Sequence, residues 1–587
     1  MTENLDSGNS LGGQFRKACS GFDIKGKRSI TALANTLEHL AQELAQSGQV
    51  RTVVGSEPAV WTDLRKLWRD LSRTQLTFWD GDDSENEEGV RHNNKQADLT
   101  TFCIALAKFT RNLVAGISEN QNRAFENEPD IRRLLHYYTS WSAMKDSESL
   151  AAARVLTQAL SNLVTANEML VAKLWDTYMN LPEDQVILIR LLGSPDPRTL
   201  LSSLIFILNC IHDSSTRIKL LTKATIGARV CVALLDDMLR LYDADEGTEG
   251  AQAFDVGYEI FTRLMEEGLI PDLYQKFAIV GEIVTPHQTT LLKLVDSYLQ
   301  SIQLASNTPI KPETLRLHSS LGPFLAKCFF SLSAYAQRSI ARALGSTPVT
   351  TSNTNHTSSG LSDPHTSSDS RPQSAETASS TQASFSSPSE LDVMLPKVCE
   401  ALVLVTQCIV TIALDAEEIK SRQMEGGRSV DTNINMKFYF NDARFSQQGL
   451  VESLIELLRL LDLFLPRINF GKPVHMPAQG TPSPTQNATD STGFSYLKRD
   501  LVRLLGVLCH DDRAVQDRIR DTGGIPVVMN LCVVDERNPY LREHALFTLR
   551  NILKDNTENQ KLVDSIKPSS EWDESGTLKS KPGAVRK

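Results

Sequence analysis

The sequence is poor in aromatic side chains, which make up 6% of its 587 residues, and its 61 basic residues are outnumbered by 71 acidic ones. With a net charge of −10 and no basic stripe interleaved with aromatics, the chain lacks the usual features that bind nucleic acid or an anionic membrane. We therefore expect neither as a partner. The N-terminus has no basic segment followed by an apolar stretch, so no secretory signal is predicted and a cytosolic or nuclear location is expected.

Long hydrophobic runs are also missing. The longest, residues 402–414, is interrupted by Thr and Gln, whereas a membrane-spanning helix needs about 20 apolar residues. The run is therefore predicted to be a buried helix, and no membrane span is expected. The nine cysteines are scattered and include no Cys-x-x-Cys pair, which favours buried, reduced thiols over disulfides or a zinc site.

Motifs of common catalytic chemistry are absent as well. The sequence contains no nucleotide-binding loop, no Gly-x-Ser-x-Gly and no His-Glu-x-x-His. Cys509 and His510 are neighbours, but successive residues on a helix point about 100° apart, so they do not indicate a nucleophile with its base. We predict a non-catalytic protein without a cofactor or a metal.

The pattern that dominates the chain is helical. Apolar residues recur three or four positions apart and so fall on one face of a helix, for example at Phe102, Leu106, Phe109 and Leu113, and again at Leu541, Ala545, Leu549 and Ile552. Alternating strand patterns are scarce. A single core of this size is unfavourable, but a stacked array lets each unit pack only on its neighbours. The predicted fold is all-α, an armadillo- or HEAT-like α-solenoid with disordered inserts.

Composition divides the chain into four predicted parts. Residues 1–345 form an N-terminal helical array, residues 346–390 a disordered linker with 15 Ser and 8 Thr, residues 391–566 a C-terminal helical block, and residues 567–587 a disordered tail. The array is predicted to contain an acidic solvated loop at 80–98, because six acids fall within residues 80–88. A second flexible insert is predicted at 471–493.

Two sequence elements repeat. Residues 111–121 read RNLVAGISENQ and residues 550–560 read RNILKDNTENQ, while Leu508 and Gln516 keep the same eight-residue offset. Leu508 and Ile552 are 44 positions apart, within the period of armadillo and HEAT repeats. The second element is Gly-apolar-Ile-Pro or Gly-Gly-Ile-Pro, at 268–271 and 523–526. There Gly can end one helix in a left-handed cap and Pro can open the next.

Residues 494–566 resemble the C-terminal domain of the ataxin-10 family. The specific residues are Gly523-Gly-Ile-Pro, then Asp535-Glu-Arg-Asn-Pro, Arg542-Glu-His-Ala and Arg550-Asn-Ile. The chain departs from the repeat at Val507, where the recurring Asn is replaced. The resemblance implies a cytoplasmic, armadillo-like protein that regulates cytokinesis and self-associates into a homo-oligomer.

Asparagines near the ends of the repeated helices are candidates for peptide binding. In armadillo proteins that bind extended peptides, such an Asn offers one donor and one acceptor to a peptide unit. The candidates here are Asn112, Asn162, Asn209 and Asn551, with Arg111 and Arg550 beside two of them. The alternative is that each Asn caps its own helix. Candidate phosphorylation sites for a proline-directed kinase are Thr347, Ser387, Thr481 and Ser483.

These features predict a cytoplasmic scaffold that binds other proteins through a concave groove and its C-terminal repeats, and cell division is the process implied by the resemblance. The alternative is an armadillo-type nuclear-transport adaptor that binds extended peptides. That alternative requires a regular Asn ladder with Trp residues at helical spacing in the groove, and the six Trp residues show no such pairing with the asparagines.

Overall fold

The computed structural model describes residues 10–76, 87–304, 312–345, 392–426, 435–465, 467–469, 472–473, 494, 496–566, 570–572 and 578–580. Almost all regular structure in these residues is helical, which confirms the predicted all-α class. The chain forms two compact units. Unit 1 comprises Met1–Ser301 and Lys311–Leu321, and unit 2 comprises Ile302–Ile310 and Gly322–Lys587. The predicted boundaries at residues 345 and 391 stay a prediction.

Unit 1 is built from helices in sequential layers. They are α1 (Leu11–Ser20), α2 (Lys27–Gln46), α3 (Gly48–Ser56), α4 (Pro58–Leu76), α5 (Glu87–Val114), α6 (Ser118–Ala124), α7 (Glu128–Tyr138), α8 (Ser147–Val164), α9 (Glu168–Met179), α10 (Ile187–Leu192), α11 (Pro197–Ile211), α12 (Ser215–Lys223), α13 (Thr225–Leu241), α14 (Glu249–Glu266), α15 (Ile270–Lys276) and α16 (Pro286–Leu304). Every third helix packs on the one before it, so that α2, α5, α8, α11 and α14 form one continuous row. This stacking of helix triplets is the armadillo-like α-solenoid predicted from the sequence.

Unit 2 continues the same architecture with a few short strands. Its elements are most of α17 (Pro312–Ala343), α18 (Leu395–Gly426), α19 (Met436–Asp442), β1 (Arg444–Phe445), β2 (Gln448–Gly449), α20 (Leu450–Phe464), β3 (Ile468–Asn469), β4 (Lys472–Pro473), α21 (Leu497–Cys509), α22 (Arg513–Asp521), α23 (Gly524–Leu531), α24 (Leu541–Leu553), α25 (Thr557–Ser565), β5 (Ser570–Trp572) and β6 (Leu578–Ser580). The strands pair antiparallel as β1–β2, β3–β4 and β5–β6. Here α18, α21 and α24 form the row of third helices.

The predicted apolar faces form the core between stacked helices. Phe102, Leu106, Phe109 and Leu113 of α5 are each at most 1% exposed. On α11, Ile205 is 39% exposed while Leu204 and Ile211 are buried. Since α11 is apolar on most of its circumference, one apolar row remains on the solvent side of the stack. In α24, Leu549 is only half-buried.

Left-handed residues separate the repeats. Gly116, Ala166, Asp213, Asp511 and Asp555 all have φ between 50° and 70°. Each follows the last turn of a third helix and precedes the first helix of the next repeat. Gly268 (φ 69°) and Gly523 (φ 72°) also occupy the predicted left-handed caps, before the buried Ile270 and Ile525. These turns therefore share the left-handed conformation, whereas the turn between α2 and α3 is made by Ser47 in an extended conformation.

The structure corrects several predicted loops. Helix α5 begins at Glu87, so residues 87–98 are helical and the predicted acidic loop at 80–98 is wrong over this range. Glu, Lys and Gln are good helix formers, so a polar sequence can extend a packed helix. Strand β4 lies in the predicted insert at 471–493, and β5 and β6 lie in the predicted disordered tail. The disorder was predicted from a lack of apolar residues that could form a core. Two short strands can pair through their backbones without such a core, so composition does not exclude them. The predicted linker 346–390 lies outside the described residues.

Among the residues that the structure describes, one helix is long and apolar enough to cross a membrane. It is the segment Leu395–Ile419 of α18, and most of its apolar stretch is buried inside unit 2. The predicted buried run 402–414 lies within this segment. A buried core helix has the same length and composition as a spanning one, and α18 packs against α21.

Candidate functional site

Third helices of unit 1 line an open groove on one side of the helix row. A pocket of about 370 Å³ lies across three of them in succession. We call its lining the third-helix groove, formed by Ala34, Asn35 and Glu38 of α2, Thr101, Ile104, Ala105 and Lys108 of α5, and Ser147, Glu148 and Ala151 of α8. These residues are far apart in sequence and are brought together only by the stacking of the repeats.

The groove combines an apolar floor with one ion pair. Ile104 and Ala105 supply the apolar surface, and Lys108 Nζ lies 2.7 Å from Glu38 Oε1. Both charged side chains are at least one third exposed, so the pair contributes at most about 1 kcal/mol to stability. A pair of this kind can exchange its partner for a polar group of a bound chain at little cost.

Three of the four predicted asparagines make the same contact. The side-chain amide of each donates to a backbone carbonyl of the preceding third helix, at 2.7 Å from Asn112 to Ala41 O, 3.1 Å from Asn162 to Arg111 O and 3.0 Å from Asn551 to Gly506 O. These amides tie one repeat to the next. The bond is neither to a peptide ligand nor to a carbonyl of the residue's own helix, the two roles weighed from the sequence.

The fourth asparagine follows a variant of this pattern. Asn209 Nδ2 donates to Ser161 Oγ at 2.9 Å and to Thr165 Oγ1 at 3.2 Å, so hydroxyls of α8 and the turn after it replace the carbonyl. All four asparagines are half-buried. Peptide binding by these residues stays a prediction, and it would require their amides to give up the acceptors that they now have.

The two arginines beside the asparagines are placed differently. Arg111 Nη1 donates to Gln158 Oε1 at 2.6 Å, and Gln158 Nε2 donates in turn to Ser202 Oγ at 3.2 Å, which links α5, α8 and α11. Burial lowers the pKa of the Arg111 guanidinium, while the Glu38 carboxylate acts in the opposite direction. Arg550, at the same position of the repeat in α24, is exposed.

A glutamine to which the sequence analysis assigned no role completes the junctions after α8 and after α24. Gln121 Nε2 donates to Asn162 O at 2.8 Å and Thr165 O at 2.9 Å in the following third helix, and its Oε1 accepts from Asn167 Nδ2 at 3.1 Å. In unit 2, the amide of Gln516 makes the equivalent contacts with Asn551 O, Lys554 O and Asn556 Nδ2. We call this arrangement the glutamine clasp. The repeated Glu-Asn-Gln and the constant eight-residue offset were its signal in the sequence.

The neighbours Cys509 and His510 are not arranged as a catalytic pair. Burial raises the pKa of the Cys509 thiol to about 12, and Sγ lies 3.6 Å from its acceptor Gly506 O. His510 instead faces Glu417 and Asp511, at 3.9 Å and 3.7 Å. Within the part of the chain that the structure describes, no three His, Cys, Asp or Glu side chains are grouped to hold a metal ion. The predicted phosphorylation sites Thr347, Ser387, Thr481 and Ser483 lie outside the described residues.

Comparison with known proteins identifies the C-terminal part of the chain. Residues 497–584 match the model of the spinocerebellar ataxia type 10 protein domain. The ataxin-10 homolog of Dictyostelium discoideum is 46% identical over 70 residues, which are 12% of this chain and 12% of that protein. Human ataxin-10 is 32% identical over 117 residues, 20% of this chain and 23% of that protein. The match to the Candida glabrata homolog is 32% over 75 residues, 13% of this chain and 14% of that protein. The chain thus matches less than a quarter of the length of these relatives.

Solved structures give only a loose likeness. An engineered protein covers 93% of this chain, and the chain covers 99% of it, with a TM-score of 0.34 and 11% identity. A structure described as concerning the interaction between cadherin and beta-catenin covers 94% of this chain and is itself covered to 84%, with a TM-score of 0.25 and 12% identity. Because these TM-scores are low, the assignment of the fold relies on the stacking of the helices described above and not on these structures.

Proposed function

We propose that this chain, whose C-terminal domain belongs to the ataxin-10 family, is a non-catalytic scaffold that binds other proteins along the third-helix groove of unit 1. The observation that carries the proposal is the pocket across α2, α5 and α8. Neighbouring packed helices lie 8–10 Å apart, and an extended chain rises about 3.3 Å per residue. An extended segment would therefore place about three residues over each repeat.

The chemistry of the groove suits a segment of mixed character. Ile104 offers apolar area to a side chain of the partner, while Asn35, Thr101 and the pair Glu38–Lys108 offer hydrogen-bond donors and acceptors. Apolar contact supplies affinity, and a few placed polar groups fix the orientation of the bound chain. A protein segment satisfies both requirements better than a small, uniformly apolar ligand.

The cellular setting of the proposal comes from the family resemblance. We propose a cytoplasmic protein that takes part in the control of cytokinesis and that self-associates. The nuclear-transport alternative relied on asparagine amides that are available to a peptide. Since the four amides donate to neighbouring repeats, the observed geometry gives that alternative no support.

The test is an affinity purification of tagged full-length protein from its own cells, quantified by mass spectrometry. One variant carries Ile104→Asp, which places a charge on the apolar floor of the groove. The matched control carries Ile279→Asp in the loop between α15 and α16, where Ile279 is 53% exposed and outside the groove. We expect the wild-type sample to contain proteins of the division machinery. These proteins should be absent from the Ile104→Asp sample and present in the Ile279→Asp sample.

Two outcomes would contradict the proposal. If Ile104→Asp retains every partner, the groove is not the binding site, even if division proteins are present. If nuclear carriers and their cargo dominate the wild-type sample, the transport adaptor is correct and the process inferred from the family is wrong. Circular dichroism of both variants checks that neither substitution unfolds the array.

A further inference from the structure

A second exposed surface lies in unit 2, where α21 packs against α24. Tyr496 and Tyr540 precede these two helices, 44 residues apart, and both adopt the left-handed conformation, with φ of 64° and 65°. The two helices therefore begin with the same geometry and present equivalent positions to solvent. Both tyrosine side chains are exposed.

The solvent side of these two helices carries arginines and aromatic rings. We call it the arginine–aromatic face, formed by Arg499 and Arg503 of α21 and by His544, Phe547 and Arg550 of α24. Phe547 is 64% exposed, and Arg499 Cζ lies 4.3 Å from the centre of the Tyr496 ring. Burial and then the charges of Arg503 and Arg499 lower the pKa of His544, which places this imidazole beside both arginines of the neighbouring helix.

Two arginines of this face differ from those of α22 by having no acidic partner. On α22, Arg513, Arg518 and Arg520 pair with Asp517, Glu452 and Asp521. By contrast, Arg503 and Arg550 make no ion pair with any side chain in the described part of the chain. Asp500 is engaged by Arg499 and by Gln407. Glu543 is the one exposed acidic residue on this side of α24, so the net charge of the arginine–aromatic face is positive.

We propose that the arginine–aromatic face binds an extended acidic segment of another protein. Carboxylates of that segment pair with Arg503 and Arg550, and an apolar side chain between them covers Phe547. Aromatic residues and Arg are the types enriched at interface hot spots, and Phe547 stands beside the arginines of both helices on this face. These residues are separate from the third-helix groove of unit 1, so the inference goes beyond the function proposed above.

The spacing of the arginines predicts the spacing of the acids. Adjacent packed helices lie about 8–10 Å apart. Phe547 is the residue of α24 that corresponds to Arg503 of α21, and Arg550 lies about one helical turn after Phe547. An extended chain covers this distance in about three residues. One carboxylate for each separated arginine fits this layout, whereas a phosphate is usually held by several converging donors. We therefore choose carboxylates over a phosphorylated residue.

The test uses pools of twelve-residue peptides captured by the immobilised full-length protein. Residues four and seven of the peptides are fixed as Glu, Gln or phosphoserine, one residue type for each pool, and the other positions are random. We expect the Glu pool to be enriched at least about tenfold over the Gln pool, with an enrichment that falls as salt is raised. The double variant Arg503→Glu/Arg550→Glu should abolish the enrichment, and Phe547→Ala should reduce it.

Matched variants separate this site from a general charge effect. Arg459→Glu makes the same charge change on α20, where Arg459 pairs with Glu456, and should leave the enrichment unchanged. Glu543→Gln removes the one opposing charge and should increase it. Equal capture of the Glu and Gln pools, or an equal loss in Arg459→Glu, would overturn the proposal. Enrichment of the phosphoserine pool alone would replace it by phosphopeptide binding. Circular dichroism shows whether each variant is folded.

Discussion

The glutamine clasp makes a sharp prediction about stability within unit 2. Gln516 is 3% exposed, and its side chain forms bonds of 2.9 Å to Asn551 O, 3.4 Å to Lys554 O and 3.1 Å from Asn556 Nδ2. The substitution Gln516→Met keeps the volume and removes all three. A hydrogen bond contributes about 0.5–1.5 kcal/mol net, and the bond to Lys554 O is long, so the expected loss is about 2–3 kcal/mol.

The last repeat supplies the matched control. Gln560 has the same position in its repeat, but its amide contacts only Leu553 O, at 2.8 Å, and the side chain is exposed. Because no further repeat follows α25 in the described chain, Gln560→Met should cost less than about 0.5 kcal/mol. The two substitutions are identical in chemistry and lie in the same unit, so their difference isolates the contacts of the clasp with the end of α24 and the start of α25.

Native-state hydrogen exchange measures the effect where it arises. The opening free energy of amides in α24 and α25 should fall by about 2–3 kcal/mol in Gln516→Met, an increase of about 30- to 150-fold in the open population. Helices of unit 1 should be unaffected. Equal shifts in the two variants, or no shift in α24 for Gln516→Met, would refute the idea that the clasp holds α24 and α25 in place.

Three further predictions concern single positions. Ala166 has φ of 60°, so Ala166→Gly should raise the unfolding free energy of unit 1 by about 0.5–1 kcal/mol in urea titration, while Ala32→Gly inside α2 should lower it by a similar amount. Burial raises the pKa of Asp237 to about 7. Because the folded state then holds a proton that the unfolded state has lost, stability should fall from about pH 4 to pH 7, by at most about 1.4 kcal/mol per pH unit, and Asp237→Asn should remove this slope. Lys498 is fully buried with its Nζ 3.5 Å from Asp462 Oδ1, so Lys498→Met should destabilise unit 2 by about 3 kcal/mol, and adding Asp462→Leu should recover part of the loss.

Each of these predictions has an outcome that would contradict it. A loss of stability in Ala166→Gly would mean that the left-handed turn is not strained. A pH profile that is the same in wild type and Asp237→Asn would place the titration elsewhere. Additive losses in the double variant of Lys498 and Asp462 would show that the two residues do not interact.

The sequence predicts the architecture well because the architecture depends on periodic properties. The face of Phe102 and Leu106 is buried as the spacing indicates, and Gly268 and Gly523 adopt the left-handed caps that Gly and Pro predict. Ala166 occupies an equivalent turn without any such signal, because the position is imposed by the neighbouring repeats rather than by the propensity of Ala.

The candidate site was less predictable for a physical reason. Glu38 and Lys108 are 70 positions apart and meet only because α2 stacks on α5, and their residue types are those of any exposed surface. The asparagines were found by repetition, but repetition cannot distinguish a residue that contacts a ligand from one that contacts the next repeat. The partner of three of the four amides is a backbone carbonyl, which every residue possesses and no sequence pattern marks.

The glutamine clasp also bears on how such an array can grow. Each Gln of the clasp lies in the first helix of a repeat and holds carbonyls at the end of the third helix, 41 residues on for Gln121 and 35 residues on for Gln516, so the two halves of the contact are far apart within one repeat. A duplication of one whole repeat copies both halves and produces a new junction with the old geometry, wherever the copied segment begins. A deletion of part of a repeat leaves a donor without its carbonyls or carbonyls without their donor. The clasp thereby favours changes in the length of the chain by entire repeats.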